Sequence, residues 1–215
     1  MNIFLNQMIA QSYDAFYESP QGKTTDALEK KLIENHLTPA PSKELLELGC
    51  GTGHWTSYFS QLGYRVTAID ESQVMLDVAR QKKISNAEFV LGDASTLPFE
   101  DESVPLIASI TMLEFVNTQK KVVDEMYRVL QPGGMLVLGC LNILSELGKN
   151  SHKDEVFKHA RLFSPSEVEL IVSRFGEPRL SYGVYYAPDF QLLDNTDRQN
   201  QVKPAFIVAS AFKTK

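Results

Sequence analysis

The amino-acid sequence predicts an α/β protein in which a parallel sheet is covered by helices on both faces, and three observations carry that reading. Short apolar runs alternate strictly with helical patterns up to residue 140. The run Leu106-Ile107-Ala108-Ser109-Ile110 is continuously apolar, as expected of a parallel strand buried on both sides. Leu45-Leu46-Glu47-Leu48 passes straight into Gly49-Cys50-Gly51-Thr52-Gly53, a strand ending in a glycine-rich turn.

The elements follow in order. Residues 1–18 and 24–37 have helical character, with Leu28, Leu32 and Ile33 on one face and Pro39 and Pro41 ending the second helix. The helix after the glycine turn carries Trp55, Tyr58, Phe59 and Leu62, and Gly63 suits a left-handed cap. A strand over 64–69 leads into a helix capped by Ser72, with Val74, Met75, Val78 and Ala79 as its apolar residues. The strand Ala87–Leu91 ends at Gly92-Asp93, and a polar loop at Phe99–Ser103 precedes the strand over 106–110. Pro105 limits where that strand starts, because proline cannot donate to the ladder. A helix over 119–130 turns Val122, Val123, Met126 and Leu130 inward, and Pro132-Gly133-Gly134 redirects the chain into the strand Met135–Cys140. Ser164-Pro165-Ser166-Glu167 is a capping box with proline at the first helical position, opening a helix through Phe175. Two β-rich runs, Leu180–Tyr186 and Ala205–Phe212, are separated by the polar stretch Asp189–Lys203.

Composition narrows the class. A chain of 215 residues is long enough for one well-buried domain with a modest accessory part, and too short for two full enzymatic domains. A net charge of -6 without a dense Lys/Arg run argues against nucleic acid as the main partner. Cys50 and Cys140 sit where size and burial choose them rather than a disulfide framework, which fits a reducing cytosol. No basic leader and no run of about eighteen apolar residues is present, so the expectation is a cytoplasmic protein without a membrane partner. No metal is expected: the four histidines, at 36, 54, 152 and 159, are scattered, and neither paired cysteines nor a carboxylate-rich loop occurs.

The G-x-G-x-G spacing lets a ligand approach the main chain closely and implies a nucleotide-like cofactor. A dinucleotide fingerprint would place its third glycine where His54 stands, which weakens a hydride-transfer reading. Asp70 closes the second strand, where a carboxylate can accept hydrogen bonds from two ribose hydroxyls. Ligands of doubly wound sheets sit outside the carboxyl ends of the strands, so Glu47, Asp70 and Asp93 would converge on one crevice.

Four segments, Glu47 to Gly53, Asp70, Gly92-Asp93-Ala94-Ser95 with Leu97-Pro98-Phe99, and Tyr127 to Leu136, together resemble the class I S-adenosylmethionine-dependent methyltransferases of the small-molecule type. The resemblance implies a Rossmann-like doubly wound sheet of seven strands, mostly parallel, closed by an antiparallel C-terminal pair and flanked by helices on both faces. It implies a single domain over 1–215: a helical cap at 1–40, a cofactor-binding core at 44–140, and substrate-side segments with the closing strands at 141–215. By the same resemblance Asp70 holds the ribose, Asp93 meets the adenine amino group, and the backbone at Ala94 serves the ring edge. Gly49, Cys50, Gly51 and Gly53 form the cofactor loop. Glu47 lies near the methionine end or ties down the glycine loop, and Ser109 offers its carbonyl there. Met75 lies against the adenine or is ordinary core, and Trp55 either borders the cofactor or anchors helix to sheet, the anchor being preferred. Tyr13, in Tyr13-Asp14-Ala15-Phe16-Tyr17-Glu18, either folds over the cofactor or packs as part of an amphipathic helix. Pro105 departs from the pattern, since many relatives have an acidic residue there.

The function implied is methyl transfer from S-adenosylmethionine to a small-molecule acceptor, leaving S-adenosylhomocysteine. An inactive cofactor-binding sensor and a nucleotide-dependent oxidoreductase are the alternatives. A base is optional for such chemistry, because a sulfonium methyl is already electrophilic and orientation does most of the work. Glu114, His152, His159, Tyr182 and Tyr185 are candidates, Glu114 first, and none is assigned. The acceptor pocket is expected from residues 1–20, 141–163 and 186–203, with Tyr182, Tyr185 and Tyr186 suggesting an apolar or planar molecule.

Overall fold

The computed structural model describes residues 3–193 and 202–214. The expected acceptor loop at 186–203 therefore lies partly outside the described residues. A 3-10 turn at Ile3–Leu5 opens the chain, followed by α1 (Gln7–Ser12), α2 (Ala15–Glu18) and α3 (Pro20–Leu37). The long helix starts earlier than the expected residue 24. Ser19 accepts a hydrogen bond from the Gly22 amide and Pro20 occupies the first turn, where its missing N–H is not needed.

The core runs β1 (Glu44–Leu48), α4 (His54–Gln61), β2 (Arg65–Asp70), α5 (Gln73–Gln81), β3 (Ala87–Leu91), β4 (Val104–Ile110), α6 (Gln119–Val129) and β5 (Leu130–Leu141). Then come α7 (Glu146–Asn150), α8 (Pro165–Ser173), β6 (Arg179–Gly183) and β7 (Phe206–Phe212). The seven strands lie in the order β3-β2-β1-β4-β5-β7-β6. All pairings are parallel except those of β7, which runs antiparallel to both β5 and β6. The expected seven-stranded sheet with its antiparallel closure is thus present.

Several ends differ for identifiable reasons. The fourth strand begins at Val104, two residues early, and passes Pro105 through a register shift between Val104 and Leu106. An irregularity is how a strand accommodates a residue that cannot donate. Leu130 is the first residue of β5, paired with Val104, instead of the last turn of α6. The run Leu180–Tyr186 stops being a strand at Gly183, because Val184 takes a left-handed conformation with φ of 58°. The local caps follow the sequence closely. Ser72 accepts from the Met75 amide, Gly63 has φ of 80°, and the Ser164/Glu167 box is complete.

Two apolar layers sandwich the sheet. One joins Ile33 and Leu37 of α3, Trp55 and Phe59 of α4 and Leu76 of α5 to the near face; the other joins Val122 and Met126 of α6 and Val168 and Phe175 around α8 to the far face. Phe59, Phe175 and Phe206 are fully buried, and side chains of this size contribute about 1.5–3 kcal/mol each by leaving water. His36 fastens α3 to the closing strands through a 2.8 Å bond between its Nδ1 and the Ser210 hydroxyl, and burial pushes its pKa down to about 4. Because successive connections turn to opposite sides of β1 and β4, a crevice opens between the carboxyl ends of these two strands.

Candidate functional site

The glycine turn builds the floor of that crevice. The amides of Gly49 and Cys50 both donate to the Ile69 carbonyl at the end of β2, and the Gly53 amide donates back to Cys50. Gly49, Gly51 and Gly53 all have positive φ, so the loop takes a path that a side chain would strain. Their surroundings differ. A Cβ on Gly49 would lie 2.1 Å from Met112 Cγ, whereas a Cβ on Gly51 would meet nothing within 4 Å. The glycine at 49 lets two strand ends come together, and the one at 51 leaves open space.

Asp70 holds this turn from the side. Its Oδ2 accepts from the Gly51 amide at 2.8 Å and its Oδ1 from the Ser72 amide at 2.9 Å. Burial raises its pKa, partly offset by those two amide donors. Each carboxylate oxygen carries a second lone pair, so the group can accept from a diol while serving the backbone.

A cavity of about 260 Å³ lies over the turn. Of the residues singled out from sequence, Tyr13, Gly49, Cys50, Gly51, Asp70, Met75, Asp93 and Ala94 line it, while Glu47, Gly53 and Ser109 do not. Glu47 is buried in β1 and its Oε2 accepts from the Thr56 hydroxyl at 2.6 Å, which ties the strand to the helix beyond the glycines. Burial pushes its carboxyl up to about 8, with the Asp70 charge adding to the effect. Gly53 is buried where a Cβ would crowd Ile84, Ala79 and Phe89, so its packing accounts for the glycine. Ser109 is buried within β4, and the wall is made by the residues just after it, Ile110, Thr111 and Met112. Thr111 sits at φ of 50°, a costly conformation for a β-branched residue, held by a 2.7 Å bond from its amide to Gly139 O. Trp55 both enters the near-face core and borders the cavity. Asp93 is exposed and accepts from the Ser95 amide.

The amino-terminal segment roofs the crevice. Ser72 donates its hydroxyl to Phe4 O at 2.6 Å, Phe4 packs edge-on against Phe115, and Asp14 receives the Thr52 hydroxyl and the Lys82 ammonium. The Tyr13 and Tyr17 rings pack at a tilt with centroids 6.3 Å apart, and burial pushes the Tyr13 phenol up to about 12. The aromatic segment therefore lies over the cavity, not against a remote face of the sheet.

A second chamber of about 860 Å³ shares Phe4, Tyr13, Tyr17, Thr111 and Phe115 with the first. Its other walls come from α3, from the segment 147–159 and from Tyr186, Phe190 and Ala205. The segment 147–159, Tyr186 and Phe190 fall in the regions expected to hold an acceptor, whereas α3, through Gln21, Thr25 and Glu29, and Ala205 fall outside them. Glu29 had no sequence signal, since a lone acid on a charged helix face looks solvated. Among the candidate bases, His159 lines the chamber, whereas Glu114, His152, Tyr182 and Tyr185 line neither cavity. Glu114 is buried, its Oε1 accepting from the Leu141 amide at 2.7 Å, and burial pushes its carboxyl up to about 7.

Among the described residues no group of three or more His, Cys, Asp or Glu could hold a metal ion, and no helix is long and apolar enough to cross a membrane. Cys50 and Cys140 are both free thiols.

A methyltransferase-domain family model matches residues 46–138. The chain is 33% identical over 127 residues to a malonyl-[acyl-carrier protein] O-methyltransferase of Serratia marcescens, covering 58% of this chain and 49% of the relative. It is 34% identical over 109 residues to a demethylmenaquinone methyltransferase of Renibacterium salmoninarum, covering 51% and 46% respectively. The chain thus spans about half the length of these curated relatives. A Thermotoga maritima structure described as a SAM-dependent methyltransferase and possible histamine N-methyltransferase superposes with a TM-score of 0.78, covering 98% of this chain and 99% of that one. At 22% identity, that likeness bears on the fold alone.

Proposed function

Since the chain belongs to the class I S-adenosylmethionine-dependent methyltransferase family, we propose that it transfers the methyl group of S-adenosylmethionine to a small-molecule acceptor. The observation that carries this reading is that two cavities adjoin: one over the glycine turn and Asp70, the other sharing the Tyr13, Tyr17 and Thr111 wall. Bound S-adenosylmethionine would supply a methyl group on a sulfonium, electrophilic enough to need no metal.

The residues present suit that cofactor. In our reading Asp70 receives the ribose hydroxyls, Asp93 and the Ala94 backbone meet the adenine, and Met75 packs beside the ring. The open space over Gly51 admits the ligand against the main chain. Glu47 supports the loop through Thr56 from beneath.

The chain's own chemical task is orientation and exclusion of water. Tyr13, Tyr17, Phe4 and Phe115 form the partition between the two cavities, and an acceptor atom must come to that partition to react. A rigid aromatic frame limits the approach directions there. The net charge of -6 favours a small acceptor over a nucleic-acid phosphate backbone.

The test is transfer of labelled methyl from S-adenosylmethionine to a metabolite extract, with mass analysis of the product. A labelled small molecule formed only with the intact chain supports the reading. Cofactor binding with no transfer to any metabolite would favour the sensor alternative.

A further inference from the structure

The second chamber is ringed by aromatic side chains, yet one carboxyl group stands inside it. Glu29 is partly buried on α3, and it receives no hydrogen bond from any described residue. The other charged residues on the chamber wall, Lys153, Asp154 and Glu155, are exposed and occupied locally. Lys153 donates to Asn150, Asp154 caps the Val156 and Phe157 amides, and Glu155 pairs with Lys158. The nearest lysine on the helix, Lys30, is paired with Asp26. Nothing inside the chamber neutralises Glu29.

Its neighbours are phenols. Tyr13 and Tyr17 pack on each other with ring centroids 6.3 Å apart, and Tyr186 bonds to Thr25 at 2.8 Å. All three rings lie close enough to feel the Glu29 charge. A carboxylate withdrawn from water without a partner is costly, and burial, with repulsion from Asp26, pushes its pKa up to about 8. A cation beside it would reverse that balance, and the faces of surrounding tyrosines favour cations as well.

We propose that the second chamber takes an acceptor bearing a basic nitrogen, with Glu29 as the counter-ion of its ammonium and the Tyr13, Tyr17 and Tyr186 rings around it. This rests on the methyltransferase reading and adds to it the chemical class of the acceptor. A chamber whose one partly buried charged group is an acid, with Lys153 and His159 on its exposed side, selects against carboxylates and phosphates at Glu29, and it gives a neutral alcohol no charge to answer. Glu29 lines only this chamber and not the cavity over the glycine turn. Its removal is therefore separable from cofactor binding.

Titration calorimetry on the full chain saturated with S-adenosylhomocysteine, using phenethylamine, phenethyl alcohol and phenylacetate as probes, tests this. The three share an aromatic body and differ in head group. The amine is expected to bind at least about tenfold more tightly than the alcohol, with phenylacetate weakest. Glu29→Gln should abolish the amine's advantage while S-adenosylhomocysteine affinity holds and the melting temperature does not fall, and Glu29→Asp should retain part of it. An amine bound no better than the alcohol, or a preference surviving in Glu29→Gln, overturns the proposal and leaves the methyltransferase reading standing. A preference for the alcohol that Glu29→Gln removes also overturns it, making Glu29 a partner of hydroxyl acceptors. Failure of S-adenosylhomocysteine to bind the parent chain strikes the methyltransferase reading itself, and the proposal falls with it.

Discussion

Tyr17 lies flat on His54, with ring centroids 3.7 Å apart and planes 9° from parallel. His54 is the first residue of α4, directly after Gly53, and stands where a dinucleotide fingerprint would have a glycine. Its Nε2 also bonds to Asp26 Oδ1 of α3 at 2.7 Å. Burial raises the Asp26 pKa, but the bonds from His54 and Lys30 outweigh that and hold it below the usual carboxylate range. One imidazole thus joins the roof, the glycine turn and α3, so the side chain that breaks the dinucleotide pattern also fastens the roof.

Removing that stack should loosen the roof. Stacked aromatic pairs are worth about 0.5–1.5 kcal/mol beyond their area, so Tyr17→Leu should weaken S-adenosylhomocysteine binding by about three- to tenfold. Limited proteolysis of the amino-terminal segment should accelerate. Unchanged affinity and unchanged cleavage would show that the roof does not depend on this contact.

The glycines should separate stability from binding. Gly49→Ala drives a Cβ into Met112 at a left-handed position and should cost about 3 kcal/mol or more. Gly51→Ala meets no protein atom, so its cost to folding should stay near the 1–2 kcal/mol of left-handed strain, roughly, while cofactor affinity falls more than tenfold. Melting curves and titrations on both variants decide; equal effects on both properties would contradict the distinction.

Asp70 carries two loads. Because its carboxylate already accepts the Gly51 and Ser72 amides, Asp70→Ala should lose stability as well as affinity, each charged bond being worth roughly 1.5–3 kcal/mol. The two amide bonds make it part of the fold as well as of the crevice edge. Asp70→Asn keeps size and one acceptor oxygen, and should weaken cofactor binding by about tenfold with a smaller drop in melting temperature. Binding equal to the parent in Asp70→Asn would remove the ribose role.

Stability should fall as pH rises. Glu47 has its pKa raised from 4.5 to about 8, chiefly by burial, so the folded state holds a proton that the unfolded state has released between those values. Its contribution is fully present below pH 4.5 and is lost as pH rises through about 8. Glu29 and Glu114 act in the same sense. Glu47→Gln keeps an oxygen for the Thr56 hydroxyl and removes the titration, so its melting temperature should decline less steeply across this window. Parallel melting profiles for parent and variant would refute the assignment.

The sequence exposed the sheet, the caps and the glycine turn because each depends on local pattern: apolar runs, a serine before a helix, glycines at fixed spacing. Strand ends were less legible. Val104 joins β4 through a bulge at Pro105, and Val184 ends a β-rich run by turning left-handed, and neither is encoded in side-chain periodicity. Within the site, strand-end residues such as Asp70 could be read from position alone. Gly53 could not, since packing against Ile84 and Phe89 uses the same residue type as ligand approach. Glu29 could be seen only after α3 was folded against Tyr186 and the amino-terminal rings, which lie far from it in the chain.

On this reading the cavity over Gly51 and Asp70 binds S-adenosylmethionine and not a dinucleotide. Titration calorimetry of the purified chain with S-adenosylhomocysteine and, separately, with NAD and NADP tests it most directly. Saturable binding of one S-adenosylhomocysteine per chain is expected, weakened more than tenfold in Gly51→Ala, with no heat above dilution for either dinucleotide. Saturable binding of NAD or NADP, with no response to S-adenosylhomocysteine, would contradict it.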